Sequence, residues 1–537
     1  MTYSFIKNTF LTVVAAGMIS GCGSGLAIVS PPIGNIDQTP IKTTALTEEQ
    51  LHNWKDLDLV ADTIPGMSVN KAYAEILKGR KGKTTIVAVI DSGIDVGHED
   101  LDDVLWTNPK EIAGNGKDDD NNGYIDDVHG WNFLGDIVEE HLEYERIIRD
   151  KAKLPTDIVA KAQKEYDGKI AEANTNKQRY EQILKQINDA DAVITKQVGK
   201  EVYTLDEVKA IKSDEETIKK SVSVMTYFLG IIPTVEDARA ELGNIITNAN
   251  DLLNGTKLNK NYRTILGNDP YVWDGKPYGN NKYWGPNPEK EDAFHGTHVA
   301  GIIAAERDND KGVNGVANNV KIMVVRAVPD GDEYDKDIAM AIRYAADNGA
   351  TVINTSFGKY HSTHPEWVWD AIKYAASKDV LIVNAAGNEG INLDNTQVYP
   401  QDQVGTQPNI SDNFLTVGAL NYEYGSNLVA SFSNYGAETV DVFGPGVAIY
   451  STTPNNKYRN AQGTSMASPA VAGVAAVIRS QYPKLTAGQV KQVLMESGLE
   501  ASANVNLGDE STKRFNTITT SGKMVNLYNA LIMASKL

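Results

Sequence analysis

The sequence predicts an α/β fold, a doubly wound parallel sheet, and three observations carry that expectation. Short apolar, β-branched runs recur at 84–90, 320–328, 351–357, 380–387 and 414–420. They read as near-continuous hydrophobic stretches rather than alternating ones, the pattern of strands covered on both faces. Helical patterns stand between them at 337–349 and 367–379, and strands alternating with helices at these lengths imply a doubly wound sheet. Polar residues follow the strand ends directly, Asp91 after the first and Asn388 after the fourth. In such sheets the working residues lie beyond the carboxyl ends of the strands.

In chain order, residues 1–22 ("MTYSFIKNTFLTVVAAGMISGC") carry one early positive charge at Lys7, an apolar run and then small residues. This is the pattern of a signal peptide, too short for a comfortable membrane span. Its last four residues, "ISGC", resemble the lipobox of bacterial lipoproteins, which implies that Cys22 is acylated and becomes the mature N-terminus. Several acyl chains on one residue would hold a soluble body stably on a membrane; the alternative is an ordinary secretory signal with an incidental cysteine. Gly23 and Ser24 lack the aspartate that resembles an inner-membrane retention signal, which points to the outer membrane. Cys22 is the only cysteine, so no intrachain disulfide can form. Residues 23–48 are rich in Gly, Ser, Pro and Thr and read as a tether. The net charge of −19 argues against a nucleic-acid partner, which would need a basic face.

The α/β unit is expected in two parts, 49–135 and 286–537, with 136–285 as an all-α insertion, a helical hairpin or small bundle. In that insertion Tyr166, Ile170, Ala173, Lys177, Tyr180, Leu184, Ile187, Asp191 and Ile194 alternate steps of four and three. Val208, Ile211, Glu215, Ile218, Val222, Met225 and Leu229 repeat the pattern, and a third helix is expected from Thr234 with Asp237 as its capping partner. Such steps make a narrow apolar seam between packed helices. The charged members of the seam leave open a freely solvated arm.

Four stretches carry chemistry together: "AVIDSGID" with Asp91, "FHGTHVAG" with His295, "VNAAGNEG" with Asn388 and "GTSMASP" with Ser465. Singly each has a bland reading, a turn residue, a structural histidine, a turn former or a helix cap. Jointly they are the set that acyl transfer demands. A serine hydroxyl needs a base, the base an orienting acid, and a tetrahedral oxyanion needs donors already in place. Here the chain resembles the subtilisin-like serine proteases, the subtilases, over roughly 84–135 and 290–537. The resemblance implies that Asp91 orients the imidazole, that His295 is general base and then acid, and that Ser465 is the nucleophile. It implies that Asn388 and the Ser465 backbone N–H receive the oxyanion. "INTSFG" (353–358) resembles the strand that pairs with extended substrate, with Ser356, Phe357 and Gly358 along the primary pocket and Gly387 and Glu389 at its border. Phe357 and Glu389 point to a large apolar substrate side chain with tolerance for a basic one. "SGKMVNLYNAL" (521–531) resembles the closing segment, so no C-terminal appendage is expected. Between Cys22 and Leu51 there is no room for a propeptide, so either folding needs no such helper or the insertion substitutes for it.

Calcium is the expected cofactor. In "DDDNNGYIDD", Asp118, Asp120 and Asn122 alternate before Gly123, with Tyr124, Asp126 and Asp127 beyond, the spacing of a calcium-wrapping loop. Position twelve is His129 rather than Glu, and a plain acidic turn is the alternative. A second expected site joins Asp100 to Asp308 and Asp310, by resemblance to a family calcium site. The leading functional expectation is an endopeptidase held at the cell envelope by lipid and acting on extended protein or peptide segments. A non-catalytic binding lipoprotein and a maturase with one dedicated substrate are its competitors.

Overall fold

The computed structural model describes residues 28, 30–34, 36–256, 258–403 and 408–537, so Cys22 and the expected signal peptide lie outside the described residues. Three short helices, α1 (Glu48–Asn53), α2 (Leu59–Asp62) and α3 (Val69–Ala72), precede the first strand. The sheet is built from β1 (Thr85–Asp91), β2 (Gly130–Asn132), β3 (Val320–Arg326), β4 (Val352–Thr355), β5 (Leu381–Ala385), β6 (Phe414–Leu420) and β7 (Val442–Pro445). A small hairpin, β8 (Ile449–Thr453) with β9 (Lys457–Ala461), stands apart, as does β11 (Asn504–Asn506) with β12 (Thr512–Arg514). β10 (Leu499–Glu500) and β13 (Lys523–Met524) complete the main sheet, whose order is β10-β13-β7-β6-β5-β4-β1-β3-β2. Every pairing from β13 to β2 is parallel; only the edge strand β10 is antiparallel.

Residues alternate between two cores along each strand. Val87, Val89, Leu381 and Val383 enter one apolar cluster, while Ala88, Ile90, Ile353 and Ile382 enter the other. Burial on both faces is why the strands read as unbroken apolar runs. The chain visits β2 and β3 on one side of β1 and then crosses to β4 on the other. That reversal opens a crevice at the carboxyl ends of β1 and β4.

The helices are α4 (Glu143–Arg149), α5 (Thr156–Val198), α6 (Leu205–Ala210), α7 (Glu216–Leu229) and α8 (Val235–Leu253) in the expected insertion. The remainder are α9 (Phe294–Ala304), α10 (Asp335–Asp347), α11 (Pro365–Ser377), α12 (Thr464–Gln481), α13 (Ala487–Ser497) and α14 (Leu527–Ala534). α10 and α11 both end two residues before their expected ends. Gly349 (φ +84°) and Asp379 (φ +60°) have left the helical region by then.

α5 runs for 43 residues, about 65 Å, and packs along α7 and α8. Ile187, Ala190, Ile194, Val208, Met225 and Leu242 share one small core there. The charged seam position Asp191 is satisfied within it, accepting from the Tyr203 hydroxyl at 2.5 Å and pairing with Arg239 at 2.7 Å. Thr234 caps α8, its hydroxyl accepting from the Asp237 N–H. The second expected seam differs: Ile211 is an extended cap residue, and 211–215 separate α6 from α7 as irregular chain.

The expected tether also differs from the structure. Ile36 is buried, Ile33 exchanges two hydrogen bonds with the Asn529 side chain on α14, and Asp37 accepts from the Ser502 N–H. Composition suggested a solvated linker, but three isoleucines (28, 33 and 36) provide enough apolar surface to lie against the core.

Candidate active site

α12 begins in the crevice with Gly463 (φ +151°) as its cap residue, and its interior from Met466 to Ser480 is buried throughout. Pro469 sits within the helix. Having no N–H, it leaves the Ser465 carbonyl without its helical partner. The Ser356 hydroxyl fills that vacancy, donating to the Ser465 carbonyl at 3.0 Å, and the Ser465 hydroxyl donates back to the Ser356 carbonyl at 3.1 Å. Ser356 is in turn held by the Asn354 amide, and Ser468 donates to Asn354 and to the Val383 carbonyl. A hydroxyl network therefore docks the start of α12 onto β4 and β5. Ser465 itself is half-buried and borders a cavity of about 220 Å³.

Asp91 ends β1 and is 2 % exposed in its side chain; His295 opens the second turn-length of the site as residue two of α9, 37 % exposed. The His295 Nδ1 and Asp91 Oδ1 are 2.8 Å apart, and the Ser92 N–H also donates to that oxygen at 2.7 Å. Burial alone would push the imidazole pKa down, but the charge and hydrogen bond of Asp91 outweigh it, and His295 stands above its ordinary 6.5. Gly296 lets α9 approach this closely: a Cβ there would run into the Gly93 carbonyl and lie 3.2 Å from Asp91 Cβ. Its neighbour in the motif, His298, is fully buried, bound to the Arg459 carbonyl and pushed by burial down to about 4.

Asn388 follows β5 and is exposed. Its Oδ1 accepts from both the N–H and the hydroxyl of Thr464, at 2.8 and 3.0 Å. The Thr464 hydroxyl also accepts from the Gly387 N–H at 3.0 Å. Anchoring the amide by its oxygen leaves Nδ2 free. Neither that group nor the Ser465 N–H has an intramolecular acceptor among the described residues. Two unused donors thus flank the Ser465 hydroxyl, and Ser356, to which that hydroxyl is hydrogen-bonded, borders the cavity lined by Asp91 and His295. This arrangement can transfer a proton from the hydroxyl and stabilise an oxyanion, provided the hydroxyl turns from the Ser356 carbonyl toward the imidazole.

The expected substrate residues lie along the same crevice. Phe357, Gly358, Gly387 and Glu389 line the 220 Å³ cavity with Asn388 and Ser465. Ser356 borders a second cavity, about 490 Å³, on the His295 side. The backbone groups of Gly358 and Gly331, which both line the first cavity, make no hydrogen bonds among the described residues. The outer side of the Gly331 segment is already paired: Asp330 donates to the Val138 carbonyl and accepts from Glu140 N–H.

The expected calcium loop is partly regrouped. Asp118 and Asp120 come together with Glu111, their ligand atoms within 4.8 Å of one another. Asp126 turns to the N–H groups of Asn115 and Gly116, and the Asn122 amide is spent on Asp127. Asp127 points inward to the Tyr344 hydroxyl, burial pushing its carboxyl up to about 6, and the Tyr124 ring is buried in the second core. Glu111, seven residues upstream, carried no sequence signal. Its Oε2 is buried without a partner, while its Oε1 accepts from the N–H groups of Asp119 and Asp120. An orphaned carboxylate oxygen beside two further carboxylates is a fitting donor set for a hard cation. The second expected site is not assembled: Asp100 is fully buried and taken by the Asn309 amide and Val313 N–H, while Asp308 and Asp310 are exposed. Sequence reasoning also missed Thr464, whose place directly before Ser465 was the available signal, and Asp332 and Glu333, for which there was none.

The chain is similar to a thermophilic serine proteinase of Bacillus sp. (strain AK1), 47% identical over 189 residues, covering 35% of this chain and 43% of the relative. It is similar to Subtilisin DY of Bacillus licheniformis, 41% identical over 217 residues, covering 40% of this chain and 72% of the relative. Among solved structures, a protease of Pseudoalteromonas arctica aligns at 29% identity and a TM-score of 0.39, covering 49% of this chain and 80% of that one. The chain thus spans less than half the length of the first of these relatives. The profile of the Subtilase family matches residues 82–518, most of the chain, and on that match the chain belongs to the subtilase family.

Proposed function

We propose that the protein is a serine endopeptidase in which Ser465 attacks the scissile carbonyl. The observation that carries the reading is the His295–Asp91 contact at 2.8 Å in a cavity bordered by Ser356, which holds a serine flanked by two unused donors. In this reading the Ser465 hydroxyl leaves the Ser356 carbonyl and passes its proton to the other imidazole nitrogen. Asp91 steadies the imidazolium, and Asn388 Nδ2 and the Ser465 N–H take the oxyanion. The imidazolium then protonates the leaving amine, and water repeats the sequence to release the acid. An extended peptide pairs with the free backbone edges of Gly358 and Gly331, so unfolded or loop segments are the substrates.

Calcium would be held by Glu111, Asp118 and Asp120, where it would supply charge balance to the loop; a chelator should lower the unfolding temperature of the wild type but not of Glu111→Gln. Cys22 would carry the lipid that anchors the protein to the outer membrane, and loss of acyl labelling in Cys22→Ala is the check. Among the described residues no helix is long and apolar enough to cross a membrane.

The deciding experiment is labelling with a serine-directed fluorophosphonate together with digestion of a mixed, denatured proteome. Labelling and many cleavages, both lost in Ser465→Ala, support the reading. Folded wild type that neither labels nor cleaves would leave a binding lipoprotein, and cleavage at one sequence only would mean a dedicated maturase.

A further inference from the structure

The cavity beside Ser465 and Asn388 is lined by three acidic residues, Asp332, Glu333 and Glu389, and by no lysine or arginine, and Glu333 also borders a small neighbouring cavity with Asp335 and Lys359. None of the three is in a salt bridge among the described residues. Glu333 is only 3 % exposed, yet no other described residue donates a hydrogen bond to its carboxylate. A carboxylate so placed is expensive unless something cationic reaches it. Burial accordingly pushes its carboxyl pKa well up.

The two nearest cations are already committed. Lys359 Nζ donates to the Glu333 backbone carbonyl at 2.7 Å and pairs with Asp335 at 3.0 Å and Glu143 at 3.6 Å. Arg146 pairs with Glu143 and donates to the backbone carbonyls of Asp332 and Glu333. Glu389 is oriented by neutral donors, the Tyr360 hydroxyl and the Asn434 amide, the latter at 2.9 Å. Asp332 is oriented by the Glu143 N–H at 2.7 Å. Neutral donors fix carboxylates without cancelling their charge.

Resting on the endopeptidase reading, we propose that this cavity receives the cationic end of a lysine or arginine side chain on the acyl side of the scissile bond. Glu333 and Glu389 are its counter-ions. The motif residues implied a large apolar side chain with tolerance for a basic one; this proposal puts the basic one first. Phe357 packs the stem of the basic residue and the carboxylates hold its head. Asp332 and Glu333 belong to the segment that precedes α10 and Glu389 to the one that follows β5, so two separate segments bring acidic residues to one cavity.

The test uses the full-length protein and N-acetylated quenched peptides in which arginine, lysine or norleucine is moved one position at a time along the acyl side. The readout is the ratio of kcat/KM for basic over norleucine peptides, in which a general loss of rate cancels. The wild type should favour the basic peptide at one position by about tenfold or more, and Glu333→Gln and Glu389→Gln should each bring the ratio down severalfold. A wild-type ratio near one, or a ratio untouched by both variants, overturns the proposal. A preference seen only when the peptide's α-amino group is left free would assign the cation to the chain terminus and also overturn it. Cleavage of no peptide at all, with no fluorophosphonate labelling, would instead defeat the endopeptidase reading.

Discussion

α12 and α5 are both long helices, but they are held by different physics. α12 is enclosed, every residue from Met466 to Ser480 being buried, and its first turn carries the candidate nucleophile. α5 is more than twice as long and buries only Ala162, Ala173, Ile187, Ala190 and Ile194. The first is defined by what surrounds it on all sides, the second by one stripe. The contrast teaches where precision resides in this chain. Two of the four candidate groups that must hold hydrogen-bonding geometry, His295 and Ser465, sit on enclosed helices. Among the described residues the insertion helices reach the crevice region at their base, through Arg146 and Glu143, the Lys161 hydrogen bond to the Tyr360 carbonyl at 3.2 Å and the Glu165–His361 pair at 2.5 Å.

That base is where the contrast is most easily broken. Arg146 and Glu143 form a fully buried pair, 0 % and 1 % exposed. Arg146→Met leaves Glu143 buried with only Lys359 for compensation, and should destabilise the protein by about 3–5 kcal/mol in urea unfolding. A surface-like effect under 1 kcal/mol would mean that the insertion base is not part of the core.

Glycine-to-alanine substitutions sharpen the same comparison. In α9, a Cβ at Gly301 would run into the hydroxyls of Thr452 and Ser451, which themselves hold the Thr297 and His298 carbonyls. Gly301→Ala should therefore lower stability by about 1–3 kcal/mol. In α5, a Cβ at Gly168 meets nothing within 4 Å, so Gly168→Ala should raise helix stability by about 0.5–1 kcal/mol. Equal signs for the two would erase the distinction.

The smallest effect is in pH. His295 is raised above 6.5, and in the proposed mechanism it must be neutral to accept the Ser465 proton. kcat/KM should fall as pH drops through a value above 6.5 and be full above it. The stability term has the opposite sign: a raised folded-state pKa stabilises below 6.5, and the contribution is lost as pH rises through the folded value. A rate profile controlled by a group titrating below 6 would contradict the Asp91 contact.

Much of this was legible before any coordinates. Buried parallel strands announce themselves as β-branched runs: β3, β4, β5 and β6 lie within the expected segments, and β1 runs one residue past its own, to Asp91. The candidate residues at strand ends and helix starts, Asp91, His295, Asn388 and Ser465, stood out because acyl transfer admits few substitutes for such a set. β2 and β9 were missed for a physical reason: three residues, or an exposed strand reading Lys-Tyr-Arg-Asn-Ala, carry no apolar pattern.

What the amino-acid order determined alone was the class of fold, the four chemical groups and the helical character of the insertion, all properties of short segments and their periodicity. That Glu111 joins Asp118 and Asp120, and that Asp332 and Glu333 line one cavity with Glu389, were decided only by the tertiary structure. Each depends on a contact between segments far apart in the chain or on the direction a loop turns. Local sequence constrains such distances weakly, whereas close packing constrains them strongly.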